Sequence, residues 1–240
     1  MNMAQINWHF EPAPDIEQSF IERLRQFPRQ SDMTVYGVRT LAALALRAWL
    51  RTYHRLRIDG LENLPREGSF VLVANHSSHL DVLCLLSALP LRALHRAFPA
   101  AANDYFFVNL PRTVAAAIFI NAIPFSRHGQ VRHSLKVCQA LLSNPGNILI
   151  LFPEGTRSTT GQLGTFRPGI GHLVAGTDVP VVPCALKGTF AALPKSVLWP
   201  RPRAIRLVIG QPRCFADLLP EKKSVYAIAQ QLHDAVQELL

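Results

Sequence analysis

The stretch SFVLVANHSSHLDVLCLLSA, Ser69–Ala88, sets the architecture of the chain. From Phe70 to Ala74 it is apolar and rich in branched residues, the composition of a strand. The polar turn NHSSHLD (75–81) follows, and from Leu80 to Ala88 the pattern is that of a helix. Three further segments carry the strand signature: NILILF (147–152), VPVVPCAL (179–186) and AIRLVI (204–209). Helices are predicted over Arg112–Phe119, Val131–Leu142, Gly169–Ala175 and Lys222–Leu240. Strands separated by helices imply an α/β fold: a largely parallel twisted sheet flanked by helices on both faces.

Upstream of Arg57 the pattern is helical, over Pro14–Arg29 and Thr34–Leu56. The second helix groups Leu41, Leu44, Ala45, Ala48, Trp49 and Tyr53 on one broad face. Arg47, Arg51 and Arg55 recur every four residues and form a ridge along the other side. An apolar face with a Trp and an Arg-lined polar face suits a helix lying among lipid head groups. The competing arrangement is a helix packed on the core with a solvated Arg ridge. The chain thus divides into an N-terminal amphipathic helical segment, 1–56, expected to associate with membranes, and a catalytic α/β domain, 57–240. Pro194–Pro202 is the clearest loop. Its Trp199, beside Arg201 and Arg203, is either a second membrane contact or plain surface.

Bulk properties narrow the partners. The 240 residues are 49% hydrophobic, enough for one sizeable core. A formal charge of +9 favours an anionic partner, nucleic acid or membrane head groups. Cys84, Cys138, Cys184 and Cys214 are widely spaced in apolar stretches and read as buried free thiols in a reducing compartment. The N-terminus lacks the basic-then-apolar order of a secretory signal. No run reaches the ~18 uninterrupted apolar residues of a spanning helix. The expected location is peripheral, on the cytoplasmic side of a membrane.

His76 falls at the carboxyl end of a strand, where open α/β sheets gather their functional groups. Five residues separate it from Asp81, so on a regular helix the two would not face one another. With His76 in the turn and Asp81 in the first helical turn, the carboxylate can fold back onto the imidazole. It would then fix the tautomer and leave the other nitrogen to take a proton. Two other readings compete. Ser78-His79-Leu80-Asp81 is a capping box, which would occupy Asp81 with backbone donors. His76, His79 and Asp81 could also be three metal ligands.

A second polar turn, Phe152-Pro153-Glu154-Gly155-Thr156-Arg157-Ser158, leaves the strand at 147–152. Free backbone N–H groups and an Arg fork there would make a phosphate cradle. Together the two turns resemble the motifs of the glycerolipid acyltransferases. Asn75, His76 and Asp81 match that family's Asn-His-x4-Asp, and Phe152–Ser158 match its Phe-Pro-Glu-Gly-Thr-Arg-Ser. Val179–Pro183 and Phe166–Gly169 match two weaker ones, and the likeness covers about Ile58 to Gln211. Another motif departs: Gly-x-x-Phe-Ile-x-Arg becomes Asn121-Ala-Ile-Pro-Phe-Ser-Arg127, which keeps only the Arg in place.

The resemblance implies His76 as general base with Asp81 as its partner, and no metal. It implies Asn75 beside them and Arg127, Glu154, Gly155, Thr156 and Arg157 around the acceptor, with His79 at the surface or behind the site. It implies transfer of a fatty acyl group from an acyl thioester, acyl-CoA or acyl carrier protein, to a lysophospholipid hydroxyl, with no cofactor. Because the departing motif is associated with the acceptor, 1-acyl-glycerol-3-phosphate is the first expectation and a non-phosphate lipid alcohol or amine the alternative. A nucleic-acid partner has no motif to support it.

Overall fold

The computed structural model describes residues 33–102, 120–125, 131–195 and 197–240. The helices expected over 14–29 and 112–119 lie outside the described residues, as does Arg127. Helices α1 (Met33–Thr52), α2 (Leu80–Ala88), α3 (Val131–Leu142), α4 (Gly169–Val174), α5 (Thr189–Ala192) and α6 (Lys222–Leu239) surround strands β1 (Arg57–Asp59), β2 (Phe70–Ala74), β3 (Ala97–Ala102), β4 (Ile123–Phe125), β5 (Ile148–Leu151), β6 (Val181–Lys187) and β7 (Arg206–Ile209).

All five residues of β2 are buried. Their alternation divides the molecule: Phe70, Leu72 and Ala74 face a core shared with Leu50 of α1 and Leu80, Cys84 and Leu85 of α2. Val71 and Val73 face a second core built with Leu141 of α3, Leu173 of α4 and Ile228 and Leu232 of α6. A strand buried on both faces has no polar position to spare, hence the unbroken FVLVA.

The sheet order is β1-β7-β6-β2-β5-β3-β4. Strand β2 lies parallel to both neighbours, with Val73 opposite Leu151 of β5 and Pro183 of β6. Only the β6–β7 pairing is antiparallel among the described strands. After β2 the chain passes to β3 on one side, inserts β5 between them, and then crosses to β6 on the other side. The carboxyl ends of β2, β5 and β6 therefore meet where the winding reverses, the position at which such sheets bind ligands.

Three strands were not expected. β1 and β4 are three residues each, too short for a periodic signal, and β3 is AFPAAA, whose Ala and Pro are poor strand formers. They form because neighbours offer unpaired edges. β1 pairs with β7, and β3 continues the ladder of β5.

The first helix departs most from expectation. It ends at Thr52 rather than Leu56, because Arg55 turns the chain through φ +46° into β1. Of the expected ridge, Arg51 and Arg55 are exposed and only Arg47 turns inward. Arg39 is buried and donates to Asn121 Oδ1 at 3.3 Å, while Arg47 reaches in to the carbonyl of Leu89. The expected apolar face is also split. Leu50 is buried and Ala43, Leu46 and Trp49 pack beside it, whereas Leu41 (69% exposed), Leu44, Ala45 and Ala48 face outward. Leu50 also ties the segment before residue 57 into the same core as β2. The cysteines need one correction: Cys84, Cys138 and Cys184 are buried, and burial pushes the Cys138 thiol up to about 12, but Cys214 is exposed.

Helices α4 and α6 pack so closely that a Cβ at Gly171 would overlap the main chain of Val225. At Gly169, one half-turn earlier, it would meet only Leu135 at 3.9 Å. Gly171→Ala is therefore expected to destabilise the fold by about 1–3 kcal/mol through overpacking. Gly169→Ala should be neutral or stabilising by up to about 1 kcal/mol. Paired denaturant melts check the contrast.

Candidate active site

His76 leaves the end of β2 with its ring stacked on Phe152 at the end of β5, centroids 4.0 Å apart and planes 17° apart. Its Nδ1 lies 2.9 Å from Asp81 Oδ2, and the side chain is 20% exposed against 0% for Asp81. With Nδ1–H donated to the carboxylate, Nε2 is the nitrogen able to accept a proton.

The competition between dyad and helix cap dissolves in the geometry. Asp81 Oδ2 accepts the backbone N–H groups of Ser77 and Ser78, both at 2.7 Å, as well as the imidazole. One buried oxygen caps α2 and orients the base at once, and the positive end of the helix favours its charge. Ser78 Oγ takes the N–H of Leu80 at 3.1 Å and donates to Leu193 O at 2.8 Å. Ser77 Oγ meets Thr189 Oγ1 at 3.1 Å. The turn is thus braced by the segment that follows β6.

Asn75 was expected near the substrate. It is buried instead, donating to Leu186 O at 3.0 Å and accepting from Leu186 N at 2.8 Å. Its amide continues the β2–β6 ladder one step and aims the chain at His76. Glu154 was expected to hold the acceptor. Its Oε1 accepts the His76 N–H at 2.7 Å and its Oε2 the Gly164 N–H at 3.0 Å, so it clamps two loops together. Burial raises its carboxyl above the ordinary range, opposed by those two N–H bonds.

Two amides of the expected cradle are already engaged. The Gly155 N–H goes to Phe152 O and the Ser158 N–H to His76 O. Gly155 supplies the turn itself, at φ +75°, where a Cβ would press on the Arg167 guanidinium. The polar side chains of this segment turn toward a pocket instead. An open pocket of about 480 Å³ is lined by Thr156, Arg157, Ser158, Thr160, Thr165 and Lys195, with Glu154 at its wall. His79 sits near Arg157: burial first, and that guanidinium second, hold its pKa down to about 4, so it is neutral at pH 7. Phe152, Ser77, Thr189 and Lys195 were missed as site residues. Phe152 opens the motif already singled out and was the one within reach.

The departing motif begins at Asn121, which has φ +53°. Asn tolerates the left-handed region better than most non-glycine residues. Its side chain then gains partners, donating to His95 O and Ala97 O and accepting from Arg39.

Comparisons with known proteins converge on one chemistry. The acyltransferase family model matches residues 55–187. The chloroplastic 1-acyl-sn-glycerol-3-phosphate acyltransferase of Arabidopsis thaliana is 38% identical over 146 residues, 59% of this chain and 38% of that protein. The human 1-acyl-sn-glycerol-3-phosphate acyltransferase alpha is 31% identical over 136 residues, 55% of this chain and 45% of its own length. The chain thus spans about half or less of the length of these relatives. The crystal structure of the 1-acyl-sn-glycerophosphate acyltransferase PlsC from Thermotoga maritima superposes with a TM-score of 0.65 at 24% identity, over 88% of this chain and 83% of that one. It shares the fold.

Three substitutions separate the roles of the carboxylates. Asp81→Asn can keep an oxygen toward all three donors and loses only the charge, whereas Asp81→Ala loses every bond. The Asn variant is expected to retain measurable turnover and the Ala variant to lose both turnover and stability. Glu154→Gln turns an N–H toward one of its two backbone donors, so it should cost about 1–3 kcal/mol in a denaturant melt.

Proposed function

Because this chain belongs to the acyltransferase family, we propose that it moves a fatty acyl group from an acyl thioester to the hydroxyl of a lysophospholipid, 1-acyl-glycerol-3-phosphate, in phospholipid biosynthesis. The observation that carries the reading is the Asp81-held imidazole of His76, whose main chain is bonded to Glu154 and Ser158 of a pocket that Arg157 also lines. A phosphate seated by Arg157 and Arg127 would place the glycerol hydroxyl toward His76. The hydroxyl oxygen attacks the thioester carbonyl while its proton passes to His76 Nε2. Collapse of the tetrahedral adduct breaks the C–S bond, and the imidazolium returns the proton to the leaving thiolate. The dyad stabilises that imidazolium, and a thioester is activated enough to need only orientation and proton transfer.

The acyl donor is acyl-CoA or acyl carrier protein. The acceptor and the acyl chain are lipids, so we place the enzyme peripherally on the cytoplasmic face of a membrane, with no nucleic-acid partner. The outward apolar row Leu41, Leu44, Ala45 and Ala48 supports this, since an apolar helix face turned to water is stable only under a cover. No described helix is long and apolar enough to cross a membrane.

His76→Ala should lower kcat by at least roughly 10²-fold with the fold intact. Arg157→Ala and Arg127→Ala should each raise KM for the phosphate-bearing acceptor by about 1.5–3 kcal/mol equivalent, with little change for the donor. A labelled acyl-transfer assay against a panel of lysolipids, with both donor types, checks these together. Normal kinetics in both Arg variants would exclude phosphate recognition by this pocket.

A further inference from the structure

Loop 194–203, between α5 and β7, carries the two most exposed large hydrophobic side chains among the described residues: Leu198 at 90% and Trp199 at 82%. They are not the end of a loose tether. Arg201 N donates to Ala192 O at 2.7 Å, Val197 N to Pro194 O at 3.1 Å, and Tyr53 Oη to Pro200 O at 3.0 Å, while His54 Nδ1 meets Arg203 O at 3.2 Å. Pro194, Pro200 and Pro202 stiffen the same loop. A Trp and a Leu held rigidly in water forgo the free energy that a cover would return.

Charge identifies the cover. From Gly188 to Ile205 the chain carries Lys195, Arg201 and Arg203 and no acidic residue, while Arg206 beyond it is paired with Asp59 at 2.6 Å. An aromatic tip inside a basic collar matches anionic head groups above an apolar layer. The place matters as much: Lys195, four residues before Trp199, lines the pocket that holds Arg157. Through Tyr53 the loop also abuts the end of α1, whose outward face is apolar.

We propose that the Leu198–Trp199 tip inserts into an anionic lipid surface and so holds the Arg157–Lys195 pocket at head-group level, where a lipid acceptor resides. This rests on the acyltransferase reading for its purpose, but the insertion itself is measurable without turnover.

The test uses the full chain with vesicles of equal parts phosphatidylglycerol and phosphatidylcholine. Lipids brominated in the upper acyl chain should quench part of the tryptophan emission, and Trp199→Phe should remove that part. In the double variant L198S/W199S, vesicle-bound protein in flotation should fall roughly tenfold or more. KM for a vesicle-embedded lysophospholipid should rise in step, while kcat on a short-chain, monomeric acceptor stays at the wild-type value. Equal flotation of the double variant, or equal quenching of wild type and Trp199→Phe, overturns the proposal. So does unchanged flotation with an altered oligomeric state, which would assign the tip to a protein partner. If no lysolipid is acylated by the wild type, flotation and quenching still decide the tip, and only the acyltransferase reading fails.

Discussion

A carboxylate with no solvent exposure anchors this site. Asp81 at 0% exposure would be prohibitively costly as an isolated ion, and it persists because three donors converge on one of its oxygens at the start of a helix. Those donors dictate the turn. The amides of Ser77 and Ser78 must point inward, which folds residues 75–81 back over α2 and brings the His76 ring onto the same oxygen. Cap and dyad are therefore one structure, and the energy that stabilises the helix end also fixes the imidazole.

The second constraint comes from the neighbouring strand. β2 and β5 run in parallel register, so the segments leaving them are forced side by side. Phe152 stacks on His76 and Glu154 grips its backbone, while Ser158 returns a bond to the His76 carbonyl. Much of the second motif thus serves the base rather than the ligand. That division leaves Arg157, with the hydroxyls of Thr156, Ser158 and Thr160, as the part that faces outward.

The central sheet and the His76–Asp81 contact were legible from sequence because both have strong local signatures. FVLVA admits little but a buried strand, and helices α2 and α3 begin and end where their periodicity does. What was not legible depended on neighbours. AFPAAA becomes a strand only because β5 offers an edge. Asn75 and Glu154 looked like ligand groups because polar residues at strand ends often are. Their partners, the main chain of Leu186 and of Gly164, are 111 and 10 residues away and carry no side-chain signal.

The first helix shows the limit most clearly. Of the Arg ridge, Arg51 and Arg55 are exposed but Arg47 reaches in to Leu89, and Arg39, which no pattern singled out, is buried, with its pKa lowered to about 10 by that burial, and bonds Asn121. Periodicity reports which residues share a face but not which face meets water. Here Leu50, Leu46 and Trp49 pack inward together with two Arg side chains, while Leu41, Leu44, Ala45 and Ala48 face outward, so apolar residues occupy both sides of the helix. Asn121, at the far end of the Arg39 bond, is held as well by the carbonyls of His95 and Ala97, so its left-handed backbone rests on contacts from α1 and from the start of β3 together.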